Sequence, residues 1–156
     1  MKKVLFILLF PYYIYAGHYS ENNHINPYFS PGIQIGVNSE GTFFVSIQGT
    51  VGIVTDDIPN DFYPPIGITL GKRFYYMKNK KWNSYNYIDA QICTLIAGFG
   101  YGLITNGNER YNKFKIFAGA WGLLSYDYIN WTNKKHHFGA FGVLPIAYEG
   151  GDFNID

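Results

Sequence analysis

Residues 33–54 read IQIGVNSEGTFFVSIQGTVGIV, and their two-residue alternation decides the fold. Over 42–54 the odd positions are Phe43, Val45, Ile47, Gly49, Val51 and Ile53. The even positions are Thr42, Phe44, Ser46, Gln48, Thr50, Gly52 and Val54. One face is apolar and the other mostly small or polar, which is the period of a strand rather than a helix. Ile33, Ile35 and Val37 alternate with Gln34, Gly36 and Asn38 in the same way. The intervening Asn38-Ser39-Glu40-Gly41 is turn chemistry, because Asn and Gly tolerate positive φ. The stretch predicts an antiparallel hairpin.

The same alternation continues outward. Residues 55–65, with three acids and three prolines, predict a loop. Residues 66–76 predict a third strand, 78–84 a basic turn, and 85–105 a long fourth strand. Within that fourth run the apolar phase changes parity, from Ile88, Ala90 and Ile92 to Phe99, Tyr101 and Leu103. Gly98, Gly100 and Gly102 accompany the change and predict a β-bulge or bend within the strand, with division of the run in two as the alternative. Asn106-Gly107-Asn108 predicts a turn, 111–130 a fifth long strand, 132–136 a turn, and 137–148 a sixth strand. Residues 19–29 are a candidate further strand. Short connections favour sequential antiparallel pairing, and long strands favour closure over a small sandwich. The expected fold is all-β: an antiparallel up-and-down meander β-barrel of six to eight long strands. At least two glycines in every strand fit a narrow closed sheet, where inward positions have little room.

Composition narrows the classes. The chain has 156 residues, 20% aromatic and 15% charged, with 18 glycines and a net charge of +1. This length fits one domain, and the low charge and high apolar content exclude a disordered chain. A near-neutral balance gives no mandate for nucleic-acid binding. Lys2 and Lys3 precede an apolar run at 4–10 and small residues Ala16 and Gly17, which predicts an export signal over 1–17. The expected organisation is then an N-terminal segment at 18–29, the barrel domain at 30–149 and a tail at 150–156. Cys93 is the sole cysteine, so no internal disulfide forms, and it is expected to be a small buried hydrophobe.

Aromatics cluster where strands are expected to end: Phe74, Tyr75 and Tyr76; Trp82, Tyr85 and Tyr87; Tyr126, Tyr128 and Trp131; Phe62 and Tyr63. Membrane interfaces favour this placement. On these residues, and on the length and alternation of 42–54, the chain resembles small bacterial outer-membrane β-barrel proteins. The resemblance covers the signal-like start and residues 30–148. Such barrels have at least eight strands, against six read here. They also commonly end in an aromatic residue, whereas this chain ends Phe153-Asn154-Ile155-Asp156. The resemblance implies an exported protein of the outer membrane, with a structural or lipid-interacting role and lipid or lipopolysaccharide as partner. The alternatives are a soluble periplasmic or secreted barrel that binds a small apolar ligand, and a lipid-modifying enzyme. In a barrel bound for water, Gln34, Gln48, Thr50 and Thr69 would face outward and the aliphatics inward.

A meander of six strands sorts its connections by end. Turns 38–41, 78–84 and 131–136 would share a basic rim carrying Lys78, Lys80, Lys81, Lys134, Lys135 and His136, with Trp82 and Trp131, against Glu40. That rim suits anionic lipid headgroups or lipopolysaccharide phosphates. The opposite end would collect 55–65, 106–110 and the termini, with Asp56, Asp57, Asp61, Glu109, Glu149, Asp152 and Asp156 against Arg110. No catalytic activity, cofactor or metal is assigned. Neighbouring His136 and His137 point to opposite faces of a strand, which disfavours chelation. Ser125, Asp127, His136 and His137 flank one hairpin and supply the residue types for acyl hydrolysis, but without a nucleophile-elbow motif. Asp89 is expected inside the barrel, paired with Arg73 or Lys115.

Overall fold

A computed structural model describes residues 25–55, 65–77, 80–94, 97–119, 124–131, 133–143 and 146–147. Strands β1 (Ile25–Asn38), β2 (Phe43–Thr55), β3 (Ile66–Tyr76), β4 (Trp82–Cys93), β5 (Ala97–Thr105), β6 (Arg110–Ala118), β7 (Leu124–Ile129) and β8 (His136–Val143) pair antiparallel in chain order. β1 pairs with both β2 and β8, so the eight strands close into a barrel. A two-residue β9 (Ile146–Ala147) continues the β8 side of the closure against Tyr28 and Phe29. The expected export signal at 1–17 and the tail at 150–156 lie outside the described residues. β1 begins at Ile25, so residues 25–29 already pair with β2, ahead of the expected start at residue 30.

The predicted hairpin is β1 and β2. Asn38 Oδ1 accepts hydrogen bonds from the amides of Glu40 and Thr42, and Gly41 takes φ +74. That is the Asx-turn and positive-φ chemistry the sequence carries. The third strand has the bounds read from its alternation, Ile66–Tyr76.

Two long runs are corrected. The fourth strand is a hairpin of β4 and β5, and the fifth a hairpin of β6 and β7. At the first break the Thr94 amide donates to Ala97 O, and Thr94 Oγ1 donates to the same oxygen. A threonine side chain thus closes a turn in a stretch without Gly, Pro, Asn or Asp. At the second break Gly119 takes φ +105.

Eight strands rather than six also reassign the ends. The connections after β1, β3, β5 and β7 share one end, so residues 106–109 join 39–42, 77–81 and 130–135. Glu109 and Arg110 therefore stand at the basic end, not opposite it. Among the described residues that end carries Lys80, Lys81, Arg110, Lys134 and Lys135 against Glu40 and Glu109. Lys78 and the acids expected at the other end, Asp56, Asp57, Asp61, Glu149, Asp152 and Asp156, fall outside the described residues.

The faces of the sheet are unambiguous. Ile33, Ile35, Val37, Ile47, Val51, Ile53, Ile66, Ile68, Leu70, Ile88 and Leu103 point outward and are exposed. Gln34, Ser46, Gln48, Thr50, Thr69, Arg73, Asp89, Lys113, Lys115, Ser125, Asp127 and His137 point inward and are buried. Gln34, Gln48, Thr50 and Thr69 thus occupy the face opposite to the one a water-bound barrel would give them.

An eight-stranded barrel leaves just enough interior for side chains. Two inward glycines make room for rings from the neighbouring strand. A Cβ on Gly71 would sit 2.2 Å from the Tyr87 ring, and one on Gly98 would sit 2.0 Å from the Phe117 ring. Both distances lie far inside van der Waals contact, so these aromatics can lie across the lumen only because the facing residue has no side chain.

Candidate functional site

The lumen holds five buried charges among the described residues. Arg73 forms an ion pair with Asp127, and Lys113 with Asp89. Both pairs differ from the expected partners of Asp89, and register gives the reason. Asp89 pairs with Gly102, and Gly102 with Lys113, so the two charges share a ladder row two strands apart with a bare glycine between them. Arg73 is on β3 and Asp127 on β7, four places apart in a ring of eight, so this pair crosses the lumen.

Arg73 is held through its Nε and Nη2 and by aromatic faces. Its Nε donates to Ser46 Oγ at 2.8 Å and its Nη2 to Gln34 Oε1 at 2.7 Å. The guanidinium lies 4.3 Å from the Phe44 ring centroid and 5.7 Å from that of Tyr87. Gln34 Nε2 donates to Ser125 Oγ at 2.7 Å, which ties β1 to β7. A charged, bidentate-capable group surrounded by donors, acceptors and aromatic faces satisfies most of what burial strips away.

Lys115 is the fifth charge. It is fully buried, its Nζ lies 4.0 Å from the Phe141 centroid and 5.3 Å from that of Phe117, and it has no hydrogen-bond partner among the described groups. Ring quadrupoles favour a cation there. Arg73 Nη1, Asp89 Oδ1, Gln91 Oε1 and Asp127 Oδ1 are likewise buried and unpartnered, a mixture of donors and acceptors that suits bridging water.

Ser125, Asp127 and His137 share the lumen face, with Asp127 opposite His137 in register, but their hydrogen bonds run to other partners. Ser125 Oγ donates to Gly139 O and accepts from Gln34. The Asp127 carboxylate is taken by Arg73. His137 Nε2 meets the Tyr75 hydroxyl at 3.1 Å, and His136 turns outward against Tyr126 and Tyr128. Cys93 is half-buried rather than fully so, and its thiol donates to Thr94 O. Among the described residues no group of three His, Cys, Asp or Glu is placed to hold a metal.

The residues of the predicted basic rim separate. Lys80 and Lys81 are exposed on the β3–β4 turn. Trp82 is 52% exposed and packs against Tyr76 on the outer face, near outward Phe43, while the Tyr126–His136 stack stands on the far side of the barrel. Lys134 and Lys135 are half-buried on the β7–β8 turn, and Lys134 Nζ lies 3.8 Å from Glu40. Trp131 departs from the rim surface: it is only 9% exposed and turns into the barrel mouth. It contacts Tyr75, Tyr85, Tyr111 and His137 there. Together with Phe44, Tyr87, Ile104 and Ile129, this aromatic plug forms a compact hydrophobic cluster among the described residues. Trp131 keeps the odd parity of inward Ser125, Asp127 and Ile129, so its turn into the mouth continues the alternation of β7 past the strand's end, a signal that grouping it with strand-end aromatics hides.

Comparison with protein-family models, with curated proteins and with solved structures finds no match to this chain.

Proposed function

We propose that the chain is a small outer-membrane-type β-barrel with a structural or lipid-interacting role, exported from the cytoplasm and embedded in lipid. The inversion of its two faces carries the reading. Twenty-two large hydrophobic side chains among the described residues are exposed, from Phe29 to Phe138, while charged and amide side chains fill the interior. Soluble monomers rarely expose a contiguous apolar patch above a few hundred Å². A lipid-facing barrel needs this alternation, apolar outward and polar inward. Strands β1 to β5 have 9 to 14 residues, enough to cross a hydrocarbon core that takes about 9–11 tilted residues.

A soluble barrel for an apolar ligand would carry aliphatics inward. Here the inward positions hold two ion pairs, which favours the embedded reading over that alternative. Phe43, Tyr76, Trp82, Tyr126 and Tyr128 face outward near the basic end, at the level where an aromatic girdle meets headgroups. Lys80, Lys81, Lys134 and Lys135 extend beyond that girdle and suit anionic headgroups or lipopolysaccharide phosphates.

Two properties test the proposal together. The chain is expected to need detergent for extraction and to migrate faster on gels before heating than after it. Extraction by buffer alone would overturn the embedded reading. In the refolded protein, Gln at Lys80, Lys81, Lys134 and Lys135 is expected to weaken adhesion of neutral-lipid proteoliposomes to anionic vesicles, and unchanged adhesion would remove the headgroup role.

A further inference from the structure

Trp131 and its neighbours leave a cavity of about 170 Å³ at the basic end of the barrel. Tyr75, Tyr85, Tyr111 and Trp131, with Met77, wall it, and exposed Asn133 and half-buried Lys134 stand at its lip. Size limits the occupant. The space is well below the roughly 300–1,000 Å³ of pockets for drug-sized ligands. It accommodates one ring.

The wall rings pack against one another. The Trp131 ring meets Tyr85 at 5.1 Å and Tyr111 at 5.6 Å, both edge-on, and Tyr75 at 5.2 Å. Two hydroxyls are engaged elsewhere: Tyr75 with His137, and Tyr111 donating to Glu109. What those rings offer the cavity is carbon surface. The lip is different in kind. Lys134 is paired with Glu40 only at 3.8 Å, and both are partly exposed. Such a pair holds its ammonium weakly. Lys80, Lys81 and Lys135 stand on turns at the same end and add positive potential.

We infer that this mouth pocket binds a single sugar ring carrying an anionic substituent. The C–H faces of the sugar lie against the aromatic walls, Asn133 meets its hydroxyls, and Lys134 takes the carboxylate or phosphate. A fatty-acyl end would leave Asn133 and Lys134 unused, a cation would meet Lys134, and a nucleotide would leave its second ring system outside the walls. The inference goes beyond lipid embedding and does not depend on it.

The test is calorimetric titration of the full refolded chain in detergent micelles with glucose 6-phosphate, glucose and inorganic phosphate. Saturable binding of glucose 6-phosphate is expected, with glucose and phosphate each at least about tenfold weaker. Lys134→Gln should lower glucose 6-phosphate to the level of glucose. Tyr85→Leu, at a half-buried wall position, should abolish binding while the heat-sensitive gel migration of the folded barrel persists. A folded protein that does not bind, that binds phosphate alone equally well, or that ignores Tyr85→Leu would overturn the pocket. Any of these results would leave the membrane reading intact. Displacement of the sugar phosphate by lipopolysaccharide micelles would identify a glycolipid source, and no displacement a soluble one; either outcome supports the pocket.

Discussion

Asp127→Asn is expected to destabilise the barrel by about 3–5 kcal/mol, the cost of leaving one member of a buried ion pair alone. The substitution preserves shape, so little of the loss comes from packing. It removes the counter-charge of Arg73, which is fully buried at the level where the pair crosses the lumen. Ser46, Gln34 and the Phe44 face would still hold the guanidinium, and none of them carries a negative charge. Replacing both partners by apolar groups of similar volume, Arg73→Met with Asp127→Leu, is expected to recover most of the loss, because the desolvation cost disappears with the charges. Urea unfolding in detergent micelles, followed by circular dichroism, reads both results. A loss below about 1 kcal/mol for Asp127→Asn, the worth of an exposed pair, would mean that water reaches the guanidinium.

Leu70→Arg is expected to cost about 2–4 kcal/mol of folding free energy in bilayers, as for a cation facing lipid near the midplane. Leu70 lies at the middle of β3, 58% exposed, between Gly49 and Ile88 in register. On a protein surface in water the same change would stay within about 0.5 kcal/mol, since an exposed leucine has little packing to lose. The two surroundings therefore differ by several-fold in effect at a single position. Asn108→Arg, in the exposed β5–β6 turn, serves as the control and should change little. Folding yield and urea midpoint in phosphatidylcholine vesicles measure both variants. Equal behaviour of the two would contradict lipid contact at Leu70.

The barrel was legible wherever alternation met turn chemistry. Asn38 to Gly41 and the even and odd faces of 42–54 carried β1 and β2, and the alternation from Ile66 carried β3. The two missed hairpins differ in what they offered. Across Thr94 the outward parity changes from Ile88 and Ile92 to Phe99 and Tyr101, because Cys93 pairs with Gly98 and the sum of paired numbers is odd. That change was visible, and a bend was the milder reading of it. Across Gly119 no parity changes: Ala118 pairs with Leu124, and Lys113, Lys115, Ser125 and Asp127 all face inward at odd positions. An apolar connection without a phase change leaves no trace in periodicity.

The lumen charges were legible as misfits among apolar neighbours, but their partners were not. Pairing depends on which strands sit two or four places apart, and that follows only from the correct strand count. Trp131 differs: its odd parity matches inward Ser125, Asp127 and Ile129, and only its assignment to the turn hides the direction.

The central claim, that lipid covers the outer face, is tested most directly by a nitroxide at Leu70→Cys in a Cys93→Ser background, reconstituted in bilayers. Collision rates with oxygen, which concentrates in hydrocarbon, and with a water-soluble nickel chelate locate the label. High oxygen and low nickel accessibility is the expected result, with the reverse at Asn108→Cys. Strong nickel accessibility at position 70 in the folded protein would contradict the account.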